Sequence, residues 1–393
     1  MRFNSRVTGT MDSPIGAAYE ALDQRTGKRD LLDLAQAAPQ YPTAPVVADR
    51  LAAVAHDAHG GDYTEIAGMP RLREAFAAEV SGAYRGRVNA AQVFVTAGCN
   101  QAFCLAASAL AEPGDEIILT LPFYFNHDMW LRTQGIVPVH LEPGPDLIPT
   151  PEAAEALITA RTRAIVMVSP GNPTGVTVPP ERIAALGAVA ARHGIAFILD
   201  ETYRSFRGTT EPAHHLFADP AWDRTLVSLH SFSKDLAIPG YRVGAVVASP
   251  ALGVQMTKLL DCVAICAPRI GQEAVLAGLA EAGSWRQERA AEVHLKQQWF
   301  AAAMADRPGG FELLSAGGFF GWVRHPFAGV PTAEVVRDLV VEYDTLVIPG
   351  TAFLPDDRGT LRVSVSNADR PAIVDFAGRL AEFGATRPAS LSR

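Results

Sequence analysis

"SLHSFSKDLAIPGYRVGAVVAS", residues 228–249, decides how the chain is to be read. It lies within two apolar runs, "RTLVSLHSF" and "RVGAVVAS", which read as strands joined by a turn. In the connection sits Lys234 among hydroxyls, with Arg242 eight positions later. Working outward, further short apolar runs, "QVFVTAG", "DEIILTLP", "AIVMVSP" and "IAFILDE", are separated by helical patterns such as "NQAFCLAASALA" and "PERIAALGAVAARHG". Strands buried on both faces and spaced by helices predict an α/β fold, a three-layer sandwich with a mostly parallel central sheet. From about residue 285 the texture changes. A long polar-faced helix, "SWRQERAAEVHLKQQWFAAAMA", leads to "FELLSAGGFFGWVRH", "TLVIPGTAF", "TLRVSVS" and a last helix from "RPAIVDFAGRLAEFG". The expected division is an N-terminal arm over 1–45 that completes part of a small domain, a large domain over 46–284 and a small α/β C-terminal domain over 285–393.

Composition narrows the classes. The chain has 393 residues, 48% of them hydrophobic and 19% charged, with a formal net charge of −8. That balance offers no basic surface for nucleic acid. No run reaches the ~18 consecutive apolar residues of a membrane span, and "MRFNSRVTGTMDSPIG" has no apolar export stretch, so a cytoplasmic protein is expected. Cys99, Cys104, Cys262 and Cys266 form no CxxC pair and read as buried thiols in a reducing compartment. No metal site is expected.

Ligands of open α/β sheets bind beyond the carboxyl ends of the strands, and five such ends carry polar groups. "VFVTAG" runs into Gly98, Cys99 and Asn100 at a helix start, where free N–H groups suit a phosphate. "IILTLP" leads to Tyr124, "IVMVSP" to Asn172, "AFILD" to Asp200 and Tyr203, and "VSLHSF" to Ser233 and Lys234. A lysine at a buried strand end is costly unless its amine has chemistry to do, and an imine with an aldehyde supplies it. Pyridoxal 5'-phosphate (PLP) asks for this set: an amine, a carboxylate for the ring nitrogen, donors for the phenolate, a flat residue for stacking and an anion site.

The chain resembles the fold-type I, PLP-dependent class I/II aminotransferase (aspartate aminotransferase-like) family. The likeness runs from "DLAQAAPQYPTAP" through "DYTEIAGMPRLREAFA", "PFYFNH", "SPGNPTG", "DETY" and "SFSKDLAIPGYRVG" to "LRVSVS", all in the family's order. It implies that Lys234 bonds the cofactor aldehyde and then serves as general acid/base, and that Asp200 pairs with the pyridine nitrogen, supported by His127. Tyr124 would stack on the ring, and Asn172 and Tyr203 would donate to its O3' oxygen. Ser231, Ser233, Arg242 and the backbone at Gly98, Cys99 and Asn100 would hold the phosphate. Tyr63 would reach it from a neighbouring subunit, which implies a homodimer with shared active sites. Arg362 would clamp the substrate α-carboxylate in a bidentate pair. The blander alternatives are a core tyrosine at 124, a turn residue at 172 and a strand-end surface charge at 362.

Departures from the family's pattern bear on the substrate. Its N-terminal GxG is here Ala35 and Ala37, with Gln36 between them; Gln36, Ala37, Tyr41 and Phe319 are candidates for the substrate pocket or for packing. Where dicarboxylate-specific members carry an arginine that crosses to the partner's site, "VQMTKLLDCVAICAP" aligns Asp261. An acid there favours a cationic side chain such as that of arginine, although a surface helical aspartate is the ordinary alternative. The expected activity is transfer of an α-amino group from an amino acid to a 2-oxo acid. The alternative is a PLP-dependent lyase, cyclase or oxidase, since the same residues serve each fate. A ligand-sensing regulator is disfavoured because the motifs begin by residue 34.

Overall fold

The computed structural model describes residues 1–387. In chain order the strands are β1 (Leu32–Asp33), β2 (Val93–Thr96), β3 (Glu116–Thr120), β4 (Val137–Leu141), β5 (Thr162–Val168), β6 (Ala196–Asp200), β7 (Leu226–Ser231), β8 (Gly244–Val247), β9 (Glu312–Gly317), β10 (Phe320–Arg324), β11 (Thr345–Leu346), β12 (Ile348–Pro349) and β13 (Thr360–Ser364). Seven of them form one sheet in the order β2-β8-β7-β6-β5-β3-β4. The pairs from β7 through β4 are parallel, whereas β8 runs antiparallel to both β7 and β2. The mostly parallel sheet expected from the apolar runs is thus present, with one reversed strand. What links β7 to β8 is longer than a turn: Phe232 to Val243, with a short 3-10 helix at Pro239–Tyr241.

Alternation along each strand explains why the sheet is covered on both sides. Val93 and Val95, Ile165 and Met167, and Phe197 and Leu199 belong to one apolar cluster. Phe94, Ala164 and Val166, and Ala196 and Ile198 belong to the cluster on the other face. Each fully buried side chain of this size contributes roughly 1.5–3 kcal/mol, which makes the strands a rigid platform for what their ends carry.

A second sheet, β12-β13-β10-β9, is antiparallel throughout and has its own apolar cluster, including Phe300, Phe311, Leu361 and Phe376. The N-terminal segment reaches this part of the molecule, for β1 pairs in parallel with β11. Helix Gly283–Met304 runs past both regions: Arg286 near its start meets Asp235 beside the large sheet, and Lys296 donates to the Ser366 carbonyl beside the small one.

Two details differ from expectation. β4 was not among the sequence-derived strands; it is the sheet's edge, with Val137 exposed and Pro138 within it, so it lacks the signature of a strand buried on both faces. The cysteines are not uniformly buried either. Cys99 is, Cys104 and Cys266 are half-buried, and Cys262 lies on the outer face of helix Pro250–Ala264.

Candidate active site

The carboxyl ends of β2, β5, β6 and β7 open into a cavity of about 480 Å3. Gln36, Ala37, Cys99, Asn100, Tyr124, Asn172, Asp200, Tyr203, Ser231, Ser233, Lys234, Arg242 and Arg362 all line it. Its charged groups are three cations, Lys234, Arg242 and Arg362, against one acid, Asp200, so the space favours an anionic guest.

Asp200 ends β6 and is 4% exposed. Burial works to raise its carboxyl, but the His127 ring, with Nε2 3.5 Å from Oδ2, and the Thr202 N–H, 2.9 Å from Oδ1, outweigh this and hold it below the usual carboxylate range. His127 is fixed in turn by stacking on Phe103 at 3.9 Å and by an edge contact with Tyr124 at 5.1 Å. Asp200 is therefore an ionised acceptor pointed into the cavity from a rigid strand end.

Lys234 is half-buried and donates to the Ala37 carbonyl. Burial first, then the nearby charges of Arg362 and Arg242, bring its amine down to about 8. Among the described residues it has no ion-pair partner. At neutral pH this amine keeps a neutral fraction far above that of a solvated lysine, which is what a nucleophile needs.

Arg362, on the inner strand β13 of the small sheet, is 3% exposed. Its fork donates to Asn172 Oδ1 at 3.0 Å and to the Ala35 carbonyl at 2.5 Å, and lies 5.0 Å from the ring centres of both Phe320 and Phe353. Burial lowers this guanidinium to about 10, no acid pairs with it among the described residues, and its Nε has no hydrogen-bond partner. A buried guanidinium left in this state suits a bidentate carboxylate from outside the protein.

The opposite wall is made by the start of helix Cys99–Leu110. Gly98 caps it with φ +88°, and a Cβ there would stand 2.4 Å from Arg242 Nη2, so glycine lets the guanidinium lie against the helix end. Arg242 is anchored by donating to the Pro239 carbonyl at 2.8 Å, and Ser231 Oγ accepts from the Ser233 N–H at 3.2 Å. An arginine beside free helix N–H groups fits a phosphate. Tyr124 OH donates to Asn100 Oδ1 at 3.3 Å, and burial raises this phenol to about 12. Burial also raises Tyr203, which packs on Phe319 and Phe320, so both stay protonated donors. The amine, the ionised acid, the phenol donors and the anion wall together fit PLP.

Some expected residues lie elsewhere. Tyr63 is 74% exposed and Asp261 is exposed on helix Pro250–Ala264; neither faces this chain's own cavity. Tyr41 and Phe319 sit in the apolar cluster with Tyr203, and Tyr41 OH donates to the Lys234 carbonyl at 3.4 Å. Sequence reasoning missed Ile15, Phe125, Thr202 and Gly240 as lining residues. Ile15 sits on helix Pro14–Glu20, far from every motif in sequence, and nothing in its surroundings there signals the cavity.

The profile of the family described as "Aminotransferase class I and II" matches residues 29–380. The chain is 29% identical to the arginine–pyruvate transaminase AruH of Pseudomonas aeruginosa over 368 residues, 92% of each chain. It is also 29% identical to an aspartate/prephenate aminotransferase of Thermus thermophilus over 388 residues, 96% of this chain and 98% of that one. The solved structure of Thermus thermophilus aspartate aminotransferase with maleate superposes with a TM-score of 0.88 at 26% identity, covering 97% of this chain and all of that one.

Proposed function

Because this chain belongs to the class I and II aminotransferases, PLP-dependent enzymes that move amino groups between amino acids and 2-oxo acids, we propose that the cavity is its active site and that a cationic amino acid such as arginine is its donor. The observation that carries the assignment of the site is Lys234: an amine without an ion-pair partner among the described residues, lowered to about 8, in a cavity whose cations outnumber its acid.

When bound there, PLP supplies an electron-withdrawing ring that takes up the electron pair left as a bond at the substrate α-carbon breaks. Asp200 would keep a proton on the ring nitrogen; an ion pair in direct contact at an effective dielectric of about 20 is worth on the order of 5 kcal/mol. Tyr124 would stack on the ring, while Asn172 and Tyr203 would donate to the phenolate oxygen. Arg242, Ser231, Ser233 and the N–H groups at Gly98, Cys99 and Asn100 would hold the phosphate, joined in a homodimer by Tyr63 of the second copy. Arg362 would grip the α-carboxylate and so orient the bonds at the substrate α-carbon. The Lys234 amine, when free, would be the base that takes the proton from the substrate α-carbon and the acid that gives it back. In this reading residues 1–45, 46–284 and 285–393 would act as arm, cofactor-binding body and closing lobe, with 388–393 lying outside the described residues.

Two things support a cationic donor. Asp261 is exposed two and four residues before Val263 and Ile265, large apolar side chains that are also exposed, as expected of a face a second copy would cover. The similarity to an arginine–pyruvate transaminase spans nearly all of both chains.

The test incubates the PLP-loaded protein with arginine, lysine, ornithine, glutamate, leucine and phenylalanine, each with pyruvate or 2-oxoglutarate, and follows products by mass spectrometry. Arginine should lead, with stoichiometric keto acid and new amino acid. Equal or faster turnover of glutamate, leucine or phenylalanine refutes the cationic donor. Borohydride trapping that leaves the peptide containing Lys234 unmodified refutes the site.

A further inference from the structure

Behind the cavity wall four buried charges form a chain. Asp235 immediately follows Lys234, and Arg204 immediately follows Tyr203. Asp235 Oδ2 lies 2.5 Å from Arg286 Nη2. Arg286 donates through Nη1 and Nη2 to the two carboxylate oxygens of Glu79, each at 3.0 Å, and Glu79 accepts from Arg204 as well. The four side chains are only 7–20% exposed. Two acids match two guanidiniums, so the cluster is neutral as a whole. Burial would raise Glu79, yet the two arginines hold it down at about 2, and burial would lower both arginines, yet the acids hold them above the ordinary range.

Stability does not account for such a cluster, because buried ion pairs often contribute no more than apolar residues of the same volume. Their geometry is what they add. Arg286 projects from the first turn of helix Gly283–Met304 and Glu79 from helix Pro70–Ala83, so two helices that contribute nothing to the cavity lining grip the two chain positions next to Lys234 and Tyr203. The backbone of the Lys234 segment has further partners: Tyr41 OH donates to the Lys234 carbonyl at 3.4 Å and Thr43 Oγ1 to the Ala237 carbonyl at 2.8 Å. Among the described residues Lys234 has no ion pair to steer it, only the hydrogen bond its amine donates to the Ala37 carbonyl, so its placement leans on its backbone.

We propose that Arg286 is a positioning residue for the reaction: by holding Asp235 and Glu79 together, it fixes the spacing between Lys234 and Tyr203, the amine and the phenol that face the cofactor. The inference rests on the reading of Lys234 as the residue that captures PLP.

The experiment compares wild type with Arg286→Gln, Arg286→Lys and Asp235→Asn, each well below its own melting temperature. It measures the rate at which Lys234 in the apoprotein captures PLP, by borohydride trapping and mass spectrometry, and kcat and KM of the loaded enzyme. In Arg286→Gln, capture and kcat should each fall about 10- to 100-fold, the scale of a misplacement of about 1 Å, with KM within about threefold. Arg286→Lys should recover most of the loss. Asp235→Asn should resemble Arg286→Gln, and the double variant should add little to either. Wild-type capture and kcat in Arg286→Gln, with only the melting temperature lowered, would overturn the proposal, as would a lysine variant no better than the glutamine one. If Arg286→Gln does not fold, Asp235→Asn decides, and wild-type values there overturn it. Absence of trapping at Lys234 in wild type removes the site assignment and this inference together, whereas normal trapping in wild type beside unchanged variants removes this inference alone.

Discussion

At the scale of single residues, the lowered amine of Lys234 has a consequence for the apoprotein. Its value of about 8 in the folded chain lies below the 10.5 of an unperturbed lysine, so between these values the unfolded chain binds more proton than the folded one. The penalty is fully present below about pH 8 and fades as the pH rises towards 10.5. Relative to Lys234→Met, wild-type apoprotein should gain up to about 3 kcal/mol over that window in urea titrations. A difference between the two that stays flat with pH would mean that Lys234 is not desolvated. The strand-end residues of this site were legible because a lysine, an acid and an asparagine each punctuate an apolar run where solvent-facing polarity has no reason to fall. Ile15 and Phe125 were not, since an apolar residue looks the same whether it lines a cavity or a core.

At the scale of elements, the end of β9 lies directly against the turn after β5. A Cβ at Gly317 would stand 2.2 Å from the Gly175 carbonyl oxygen, and one at Gly175 would stand 2.4 Å from the Gly317 carbonyl oxygen. Neither backbone has a flexible end that can yield. Gly317→Ala should therefore part β9 from the turn that carries Asn172, loosen the Arg362 to Asn172 contact and raise KM for the amino acid more than about threefold, at a stability cost of about 1–3 kcal/mol. Steady-state kinetics with thermal melts would check it; an unchanged KM would show that the contact does not govern Arg362. The sequence pattern located the strands of the large sheet to within a few residues because their burial on both faces leaves an unbroken apolar run. It passed over β4 for the opposite reason, and over the length of the β7–β8 connection because its residues Leu236 and Ile238 are buried like strand residues while their backbone is not extended into a ladder.

At the scale of the whole molecule, the proposed second copy would cover the exposed Tyr63, Val263 and Ile265, none of which was legible as an interface without the family resemblance. Sedimentation should give twice 41.9 kDa. Tyr63→Ala should bind PLP about tenfold more weakly, the scale of one hydrogen bond to a charged group. Mixing it with Lys234→Ala should regenerate tight, active sites in about a quarter of the total, since each hybrid pairs an intact lysine with an intact tyrosine. No recovery on mixing would mean that the sites are not shared.

Arg362 offers its fork to any small carboxylate that enters, because no protein acid engages it among the described residues. The laboratory medium is thereby a participant: acetate, formate or citrate will compete for the same guanidinium, and inorganic phosphate for the groove at Arg242. Constants measured in such buffers will report the occupancy of the buffer together with that of the amino acid, and amine buffers free of carboxylate and phosphate will reduce that competition.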